Sequence, residues 1–248
     1  MLPPVFYVPP DRIENNTATL PSDEAKHAVR VMRLSVGAMI IVVDGLGTAY
    51  RAELTAASPR KVTARFHATV RDFGEANVHL TLAAGLSAGT RFDSVVQRGT
   101  ELGVKRFVPL VTEKSKVVIA DPRRARSRVT RLEKVALAAM KQCRRSIIPS
   151  IALPTTFDDF LSEHDTETTA LVFHTGKQAG RFDDIFLDSQ TRRITLLVGP
   201  EAGFTDDEAV RAIEAGFSPV SLGPRVLRTE TAGPVVTALV MARLGELS

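Results

Sequence analysis

The spacing of hydrophobic positions changes at about residue 78. Before it, short apolar runs of strand length are separated by turn residues and one short helix. The strands that this part predicts are 5–8, 39–43, 50–55 and 62–66. The spacing favours a small β-barrel-type module over residues 1–72, and the polar stretch 71–77 is the predicted linker.

From residue 78 onward, strand-like runs alternate with segments of helical period. The predicted strands are 78–84, 106–111, 170–174, 194–198 and 217–222. The predicted helices are 92–102, 122–143, 157–161, 182–186, 206–215 and 231–244. Strict alternation of this kind predicts an α/β domain with a mainly parallel sheet over residues 73–248.

Two of the predicted strands run directly into Gly-Pro. Strand 194–198 is followed by Gly199-Pro200, and strand 217–222 is followed by Gly223-Pro224. If both strands lie in one parallel sheet, both loops emerge at its carboxyl edge, where open α/β sheets bind their ligands. Glycine permits a close approach of a ligand to the backbone, and proline stiffens the turn. These two loops are therefore the candidate ligand site.

The segment after the first Gly-Pro also carries a helix start. Thr205 and Glu208 have the spacing of a capping box, in which each residue satisfies a backbone N–H of the other. An ordinary strand-to-helix connection would carry the same signal, so the capping box alone does not identify a function.

Basic residues concentrate on two predicted helical faces. Lys26, Arg30 and Arg33 are spaced four and three apart, and a second group lies opposite the apolar stripe of helix 122–143. The net charge is +4 and the pI about 9.5. The faces fit either an RNA phosphate backbone or a solvated helix surface. The predicted RNA contacts are Lys26, Arg30, Arg33, Arg124, Arg128 and Arg145.

Composition excludes several other classes of protein. No apolar stretch approaches the roughly 20 residues that span a bilayer, and the N-terminus lacks a signal-peptide pattern. A single cysteine, Cys143, excludes an internal disulfide and favours a cytoplasmic location. The five histidines lack metal-ligand spacing, and no P-loop or dinucleotide fingerprint occurs. We therefore expect no metal and no membrane partner.

Five segments together resemble one enzyme family. Residues 199–208 (GPEAGFTDDE) and 221–233 (SLGPRVLRTETAG) are similar to the RsmE-type 16S ribosomal RNA uridine-N3 methyltransferases of the SPOUT superfamily. Residues 27–37 (HAVRVMRLSVG) resemble that family's N-terminal RNA-binding segment. Residues 98–110 and 141–145 resemble its internal motifs. The resemblance extends over the whole chain.

The resemblance implies a fold, a cofactor and a substrate. The fold is a PUA-like β-barrel followed by a SPOUT-type α/β domain with a C-terminal trefoil knot. The cofactor is S-adenosylmethionine, the active form is a homodimer, and the substrate is a uridine in 16S rRNA or the 30S subunit. The cofactor-binding residues that it implies are Leu197, Gly199, Pro200, Gly203, Leu222, Gly223, Val226, Leu227, Arg228 and Thr231.

The reaction implied by the resemblance assigns three catalytic candidates. Methylation at uridine N3 removes a proton and spreads negative charge onto the uracil carbonyls. Arg228 cannot be the base, because a guanidinium does not deprotonate in proteins, but it can stabilise that charge or hold a phosphate. Glu201 and Glu230 are the carboxylates that could accept the proton, although Glu201 could equally anchor its loop.

Two departures from the family pattern leave part of this expectation open. Ala202 stands where the family has glycine, and its methyl group restricts φ. The usual arginine before the first strand is missing from residues 1–5, although Arg12, Arg30 and Arg33 remain. Two other functions stay possible at this point. One is a related SPOUT enzyme that methylates a ribose 2′-hydroxyl or a tRNA, and the other is a non-catalytic rRNA-binding assembly protein.

Overall fold

The computed structural model of the protein describes residues 2–87, 89–115, 121–176, 179–187 and 190–247. Its residues form two compact units. The first comprises Met1–Glu75 and Ala138–Ile148, and the second comprises Ala76–Leu137 and Pro149–Ser248.

The first unit is built around a six-stranded sheet. Its elements are β1 (Val5–Tyr7), β2 (Ile13–Glu14), β3 (Thr17–Thr19), α1 (Ser22–Lys26), β4 (Met39–Val43), β5 (Thr48–Ser58) and β6 (Lys61–Arg71), with a 3-10 turn at Pro10–Arg12. The sheet order is β1-β4-β5-β6-β3-β2, in which β1 is parallel to β4 and the other neighbours are antiparallel. Phe6, Val42 and Leu54 belong to one apolar core.

The first unit contains a hairpin that hydrophobic spacing did not predict. Strands β2 and β3 are joined by Asn15 and Asn16, whose φ values are 48° and 64°. Asparagine tolerates the left-handed conformation that a tight hairpin turn requires at both central positions. The Asn-Asn pair was therefore the signal, but the strands beside it are too short to show a period.

The short basic helix is less regular than its spacing predicted. After α1 the chain continues as a π-helical turn over His27–Val31, and Arg33 has φ 55°. The three-and-four spacing of a regular α-helix therefore does not apply through Arg33. The side chains of Lys26, Arg30 and Arg33 are nevertheless all exposed.

A buried ion pair ties the end of the predicted linker to residues 138–148. The Arg145 guanidinium donates to Glu75 Oε2 from Nη2 at 2.8 Å and from Nε at 3.1 Å. Glu75 Oε1 accepts from the backbone N–H groups of Ser146 and Ile147 at 2.9 and 2.8 Å. The two side chains are 3% and 1% exposed. This placement does not support the RNA contact predicted for Arg145, because its guanidinium is enclosed and already paired.

The second unit contains an eight-stranded sheet and the remaining helices. Its strands are β7 (His79–Gly85), β8 (Arg106–Val111), β9 (Ser150–Ile151), β10 (Thr155–Thr156), β11 (Thr169–Phe173), β12 (Gly180–Arg181), β13 (Arg193–Val198) and β14 (Ser218–Ser221). Its helices are α2 (Arg91–Glu101), α3 (Pro122–Gln142, whose last turn groups with the first unit), α4 (Phe157–Ser162), α5 (Asp206–Glu214) and α6 (Thr229–Arg243). The order is β10-β8-β7-β13-β11-β14-β12, with β9 beside β8, and all these pairings are parallel.

Helices cover both faces of this parallel sheet. Leu82 and Leu196 share an apolar cluster with Val95 of α2 and Val236 of α6. The adjacent residue Leu197 belongs to a second cluster with Phe157 of α4 and Ala212 of α5. Successive side chains of a strand point to opposite faces, so the continuous apolar runs of the sequence are strands buried on both sides. The predicted α/β architecture is confirmed.

Two element boundaries differ from the prediction in ways that matter for the site. The predicted helix 182–186 is only a 3-10 turn at Phe182–Asp184. Helix α6 begins at Thr229 rather than at residue 231, which makes Arg228 its N-cap residue and puts Glu230 in its first turn. Of the helices in the described residues, none combines the length and hydrophobicity needed to cross a bilayer.

We expect Glu75→Ala to lower the free energy of unfolding by about 3–5 kcal/mol, because it leaves the Arg145 guanidinium buried without its counter-ion. Urea unfolding followed by circular dichroism measures the change. The control is Glu53→Ala, which removes an exposed carboxylate beside His67 and should cost about 1 kcal/mol or less. Equal losses in the two variants would contradict a structural role for the buried pair.

Candidate functional site

A cavity of about 370 Å³ lies at the carboxyl edge of the parallel sheet. Residues that follow four strands line it: Lys114 after β8, His174 and Thr175 after β11, 199–204 after β13, and Leu222, Gly223 and 225–227 after β14. The two Gly-Pro loops therefore converge on one cavity, as the sequence predicted. Its size lies within the usual range for small-molecule sites.

The glycines of the two loops have separate roles. A Cβ on Gly199 would lie 2.9 Å from the backbone nitrogen of Phe204, so the loop could not fold back on itself with a larger residue there. Gly203 and Gly223 have φ of 68° and 94°, and a Cβ on either would meet no atom within 4 Å. Their missing side chains leave open space and accessible backbone at the cavity. Ala202 is not among the residues with positive φ, so its methyl group causes no backbone strain.

A buried carboxylate organises the first Gly-Pro loop. Glu208 is fully buried, and its Oε2 accepts from Thr205 N at 2.8 Å while Thr205 Oγ1 accepts from Glu208 N at 3.1 Å. The predicted capping box is thus confirmed. Glu208 Oε1 also accepts from Glu113 N at 2.8 Å, so the same side chain joins the loop after β8 to the start of α5.

The two Gly-Pro loops are also joined directly. The buried hydroxyl of Thr229 donates to Gly199 O at 3.2 Å, which links the start of α6 to the end of β13. At the end of β7, a Cβ on Gly85 would lie only 2.3 Å from the backbone nitrogen of Pro200. Neither Thr229 nor Gly85 was predicted as a site residue. In the sequence, Gly85 directly follows the predicted strand 78–84, and Thr229 lies within the motif 221–233. These positions were the signals that could have identified them.

Lys114 is a further lining residue that the sequence analysis missed. Its Nζ donates to Phe204 O at 3.0 Å and to Ala202 O at 3.4 Å. Lys114 lies three residues after strand β8, at the same sheet edge as the Gly-Pro loops. That position could have identified it, because parallel strands bring their carboxyl ends together.

The predicted catalytic residues occupy different positions around the cavity. Glu201 lines it, and its Oε1 accepts from Arg91 of α2 in an ion pair. Glu230 is not a lining residue, its side chain is 19% exposed, and its Oε2 is buried with no partner among the described residues. The Arg228 side chain is 82% exposed, and its Nη1 lies 4.0 Å from Glu230 Oε1. The structure therefore brings Arg228 and Glu230 together, with only Glu201 in the cavity wall.

Most of the predicted cofactor-binding residues line the cavity. They are Gly199, Pro200, Gly203, Leu222, Gly223, Val226 and Leu227. Leu197 instead lies in the core between the sheet and helices α4 and α5. Thr231 is exposed in the first turn of α6, and neither it nor Arg228 is in the lining. These assignments to the cofactor stay predictions.

A proline in the first half of α6 leaves one carbonyl of the helix without its usual partner. Pro234 has no N–H for Glu230 O, four residues earlier. Arg98 of α2 donates to that oxygen from Nη1 at 3.3 Å. The same two helices approach closely at Gly233, where a Cβ would lie 3.2 Å from Val95. Helix α2 therefore supports the start of α6, which carries Glu230.

The basic residues predicted on α3 differ in accessibility. Arg124 is highly exposed, with Asp121 at 3.8 Å. Arg128 is half-buried and its Nη1 has no partner in the part of the chain that the structure describes. Burial lowers the pKa of Arg128, and the neighbouring Arg131 cation lowers it further, whereas Asp93 raises it. Arg131 forms an ion pair with Asp93.

No group of three or more His, Cys, Asp or Glu side chains in the described ranges could hold an ion. The cavity lining combines apolar residues and glycines with the charged residues Lys114, Glu201, Asp206 and Arg225. That set suits an organic ligand with both apolar and charged parts.

Comparisons with known proteins agree with this geometry. Residues 74–241 match the family model described as an RNA methyltransferase domain, and residues 20–66 match an RNA methyltransferase PUA domain. Ribosomal RNA small subunit methyltransferase E from Synechocystis is 34% identical to this chain. The aligned region covers 96% of this chain and 77% of the Synechocystis protein. The enzyme of that name from Bacillus subtilis is 30% identical over 88% of this chain and 87% of its own.

A solved structure extends the similarity to the fold. Ribosomal RNA small subunit methyltransferase E from Neisseria gonorrhoeae, bound to S-adenosylmethionine, is 30% identical with a TM-score of 0.86, over 98% of each chain. The resemblance drawn from the sequence motifs is confirmed. This chain belongs to the ribosomal RNA small subunit methyltransferase E family.

Proposed function

We propose that this protein transfers the methyl group of S-adenosylmethionine to N3 of a uridine in 16S ribosomal RNA. The observation that carries the proposal is the cavity formed by two Gly-Pro loops at the carboxyl edge of the sheet, in a chain of this family. Its relatives are named for methylation of small-subunit rRNA, and the Neisseria structure holds the cofactor. The uridine N3 target comes from the resemblance of the motifs.

The cavity residues fit S-adenosylmethionine. Val198, Leu222 and Leu227 supply apolar wall for an adenosine group, and the open space beside Gly203 and Gly223 leaves backbone hydrogen-bonding groups accessible. Charged groups for the amino-acid end are present as Lys114 and Asp206. The residues that would hold the cofactor are the lining residues 199–203, Leu222, Gly223 and 225–227.

In the proposed mechanism the protein orients the target base and handles its N3 proton. When bound, the cofactor supplies an electrophilic methyl group. The carboxylate of Glu201 is the preferred proton acceptor, because it lines the cavity and Glu230 does not. Arg91 holds that carboxylate in position through their ion pair. Glu230 remains the alternative base.

Arg228 has a complementary role in the proposal. As N3 loses its proton, negative charge spreads onto the uracil carbonyl oxygens, and a guanidinium can donate hydrogen bonds to them. The exposed position of Arg228 at the N-cap of α6 supports contact with an RNA base rather than with the cofactor. Glu230 lies beside it, with its Oε1 4.0 Å from Arg228 Nη1.

The proposal extends to domains, assembly and compartment. We assign residues 1–72 to a PUA-like RNA-binding domain and 73–248 to the methyltransferase domain, supported by the family matches 20–66 and 74–241. Lys26, Arg30, Arg33, Arg124 and Arg128 are the proposed RNA contacts. A homodimer that works in the cytoplasm follows from the resemblance and the rRNA substrate, and analytical ultracentrifugation tests the dimer.

A C-terminal trefoil knot is also part of the proposal. Strand β14 lies beyond β11 in the sheet, yet α6, which follows it, packs against β7, β13 and α2. The chain therefore returns across the sheet edge in residues 222–228, beside the loop 199–204. This return supports a threaded C-terminus. Stretching single molecules tests it, because a knotted chain has a shorter extended length than its residue count allows.

The decisive assay for the reaction is methyl transfer from labelled S-adenosylmethionine to 30S subunits from a strain that lacks this gene. Nucleoside mass spectrometry should find 3-methyluridine, with transfer RNA as the control substrate. A methylated ribose, or transfer to tRNA alone, would replace the proposed target. Absence of cofactor binding in calorimetry at millimolar concentration would instead favour a non-catalytic rRNA-binding protein.

We expect Arg228→Ala to reduce single-turnover methyl transfer by about 10²–10³-fold, because it removes a donor to the developing negative charge. Cofactor affinity, measured by calorimetry, should stay within about twofold, since the side chain does not line the cavity. The matched control is Arg181→Ala, which removes a similarly exposed arginine from β12. An unchanged rate in Arg228→Ala would exclude the proposed role.

The double variant Arg30→Ala, Arg33→Ala should bind 16S rRNA more weakly and with a smaller dependence on salt. Each lost phosphate contact reduces the slope of log affinity against log salt concentration by about 0.7–0.9. Filter binding at several salt concentrations measures the slope. The control pair is Arg60→Ala, Lys61→Ala, at the exposed turn between β5 and β6. If both double variants have the same slope as the parent protein, the basic helix is only a solvated surface.

A further inference from the structure

Lys114 is a cation that lines the cavity and has no counter-ion among the described residues. It follows β8, and its neighbour Glu113 is fixed by the hydrogen bond from Glu113 N to the buried carboxylate of Glu208 at 2.8 Å. The side chain then reaches two carbonyls of the loop after β13, Phe204 O and Ala202 O. The backbone just before Lys114 is therefore fixed by Glu208, and its ammonium group is fixed by the two carbonyls.

The two carbonyl contacts of Lys114 leave at least one N–H donor of its ammonium group without a partner among the described residues. An ammonium group has three N–H donors, and two carbonyls occupy at most two of them. Carbonyl oxygens also do not neutralise a full positive charge. In the described ranges of the chain, no carboxylate lies within 4.0 Å of Lys114 Nζ. An anionic group brought by a ligand would complete this site.

The proposed cofactor carries one such group. The amino-acid end of S-adenosylmethionine has a carboxylate, an ammonium group and, next to it, the sulfonium. We infer that Lys114 binds the carboxylate of this amino-acid end through the donor that the loop leaves free. This inference rests on the proposed function, and it assigns the orientation of the cofactor: the amino-acid end faces β8, and the lining carboxylate of Asp206 is available to its positive groups.

Arg225 is the other lining side chain in the described residues that carries a permanent positive charge. Lys114 and Arg225 are both exposed, but no hydrogen bond or ion pair holds Arg225 within the described residues, whereas the Lys114 ammonium donates to two carbonyls. Ordering a long free side chain on binding costs conformational entropy, whereas Lys114 is already ordered. Lys114 is therefore the better carboxylate ligand of the two.

The inference is tested with two ligands that differ only in the carboxylate. These are S-adenosylhomocysteine and its decarboxylated analogue S-adenosyl-3-thiopropylamine, and calorimetry gives the dissociation constant of each for the full chain. The parent protein should prefer S-adenosylhomocysteine by about 10–100-fold, the range expected for a charge-assisted hydrogen bond. Lys114→Met should lose this preference, Lys114→Arg should keep most of it, and Arg225→Met should keep all of it.

Three outcomes would overturn the assignment of Lys114. A preference that survives in Lys114→Met means that another group binds the carboxylate, and loss of the preference in Arg225→Met identifies that group. If Lys114→Met weakens the affinity for both ligands equally and the preference stays intact, the lysine only supports its loop. If the parent protein binds both ligands equally, no carboxylate site exists although the cofactor cavity does. Only a failure of the parent protein to bind either ligand would remove the proposed function as well.

Discussion

The cavity depends on the buried carboxylate of Glu208. Both of its oxygens accept backbone N–H groups, one from Thr205 and one from Glu113. A buried carboxylate is costly unless it is hydrogen-bonded, and its position in the first turn of α5 also suits the positive end of the helix dipole. Because one side chain accepts a hydrogen bond from each of the loops after β8 and β13, a shift of either loop would leave one buried carboxylate oxygen without that bond.

Close backbone packing imposes a second constraint on the same edge of the sheet. Gly85 has no room for a Cβ against Pro200, and Gly199 has little against Phe204. Thr229 then bonds to Gly199 O and fixes the start of α6 there. Small residues allow these loops to approach each other, and the hydrogen bonds compensate for the buried backbone groups. The cavity is thus bordered by backbone that has few alternative conformations.

The basic residues predicted on one face of helix 122–143 and at residue 145 show that a charge pattern does not determine which side chains are accessible. Arg124, Arg128 and Arg145 fall on one side of a helical projection, yet Arg124 is exposed, Arg128 is half-buried, and Arg145 is enclosed with Glu75. Residue 145 lies beyond the end of α3, where Arg144 has φ 67° and the helical projection no longer applies. A sequence pattern gives the direction of side chains only while the helix continues.

The sequence by itself determined the elements that depend on local chemistry. The period of the apolar residues predicted the parallel α/β unit, and Thr205 with Glu208 predicted the helix start, because both signals act over a few residues. Motif resemblance identified the family and eight of the residues that line the cavity, namely seven cofactor-binding candidates and Glu201. The short Asn15-Asn16 hairpin and the 3-10 turn at 182–184 escaped prediction, since such segments are too short for a period to emerge.

Only the tertiary structure decided which distant residues meet. The Glu75–Arg145 pair joins positions 70 residues apart, and Lys114 reaches a carbonyl 90 residues away. Nothing in the local sequence distinguishes such a lysine from one that faces solvent. Its partner is chosen by the strand order β8-β7-β13-β11-β14, which brings the carboxyl ends of non-consecutive strands to one edge. Local propensity determines where a strand ends, but the packing of the whole sheet determines what lies beside that end.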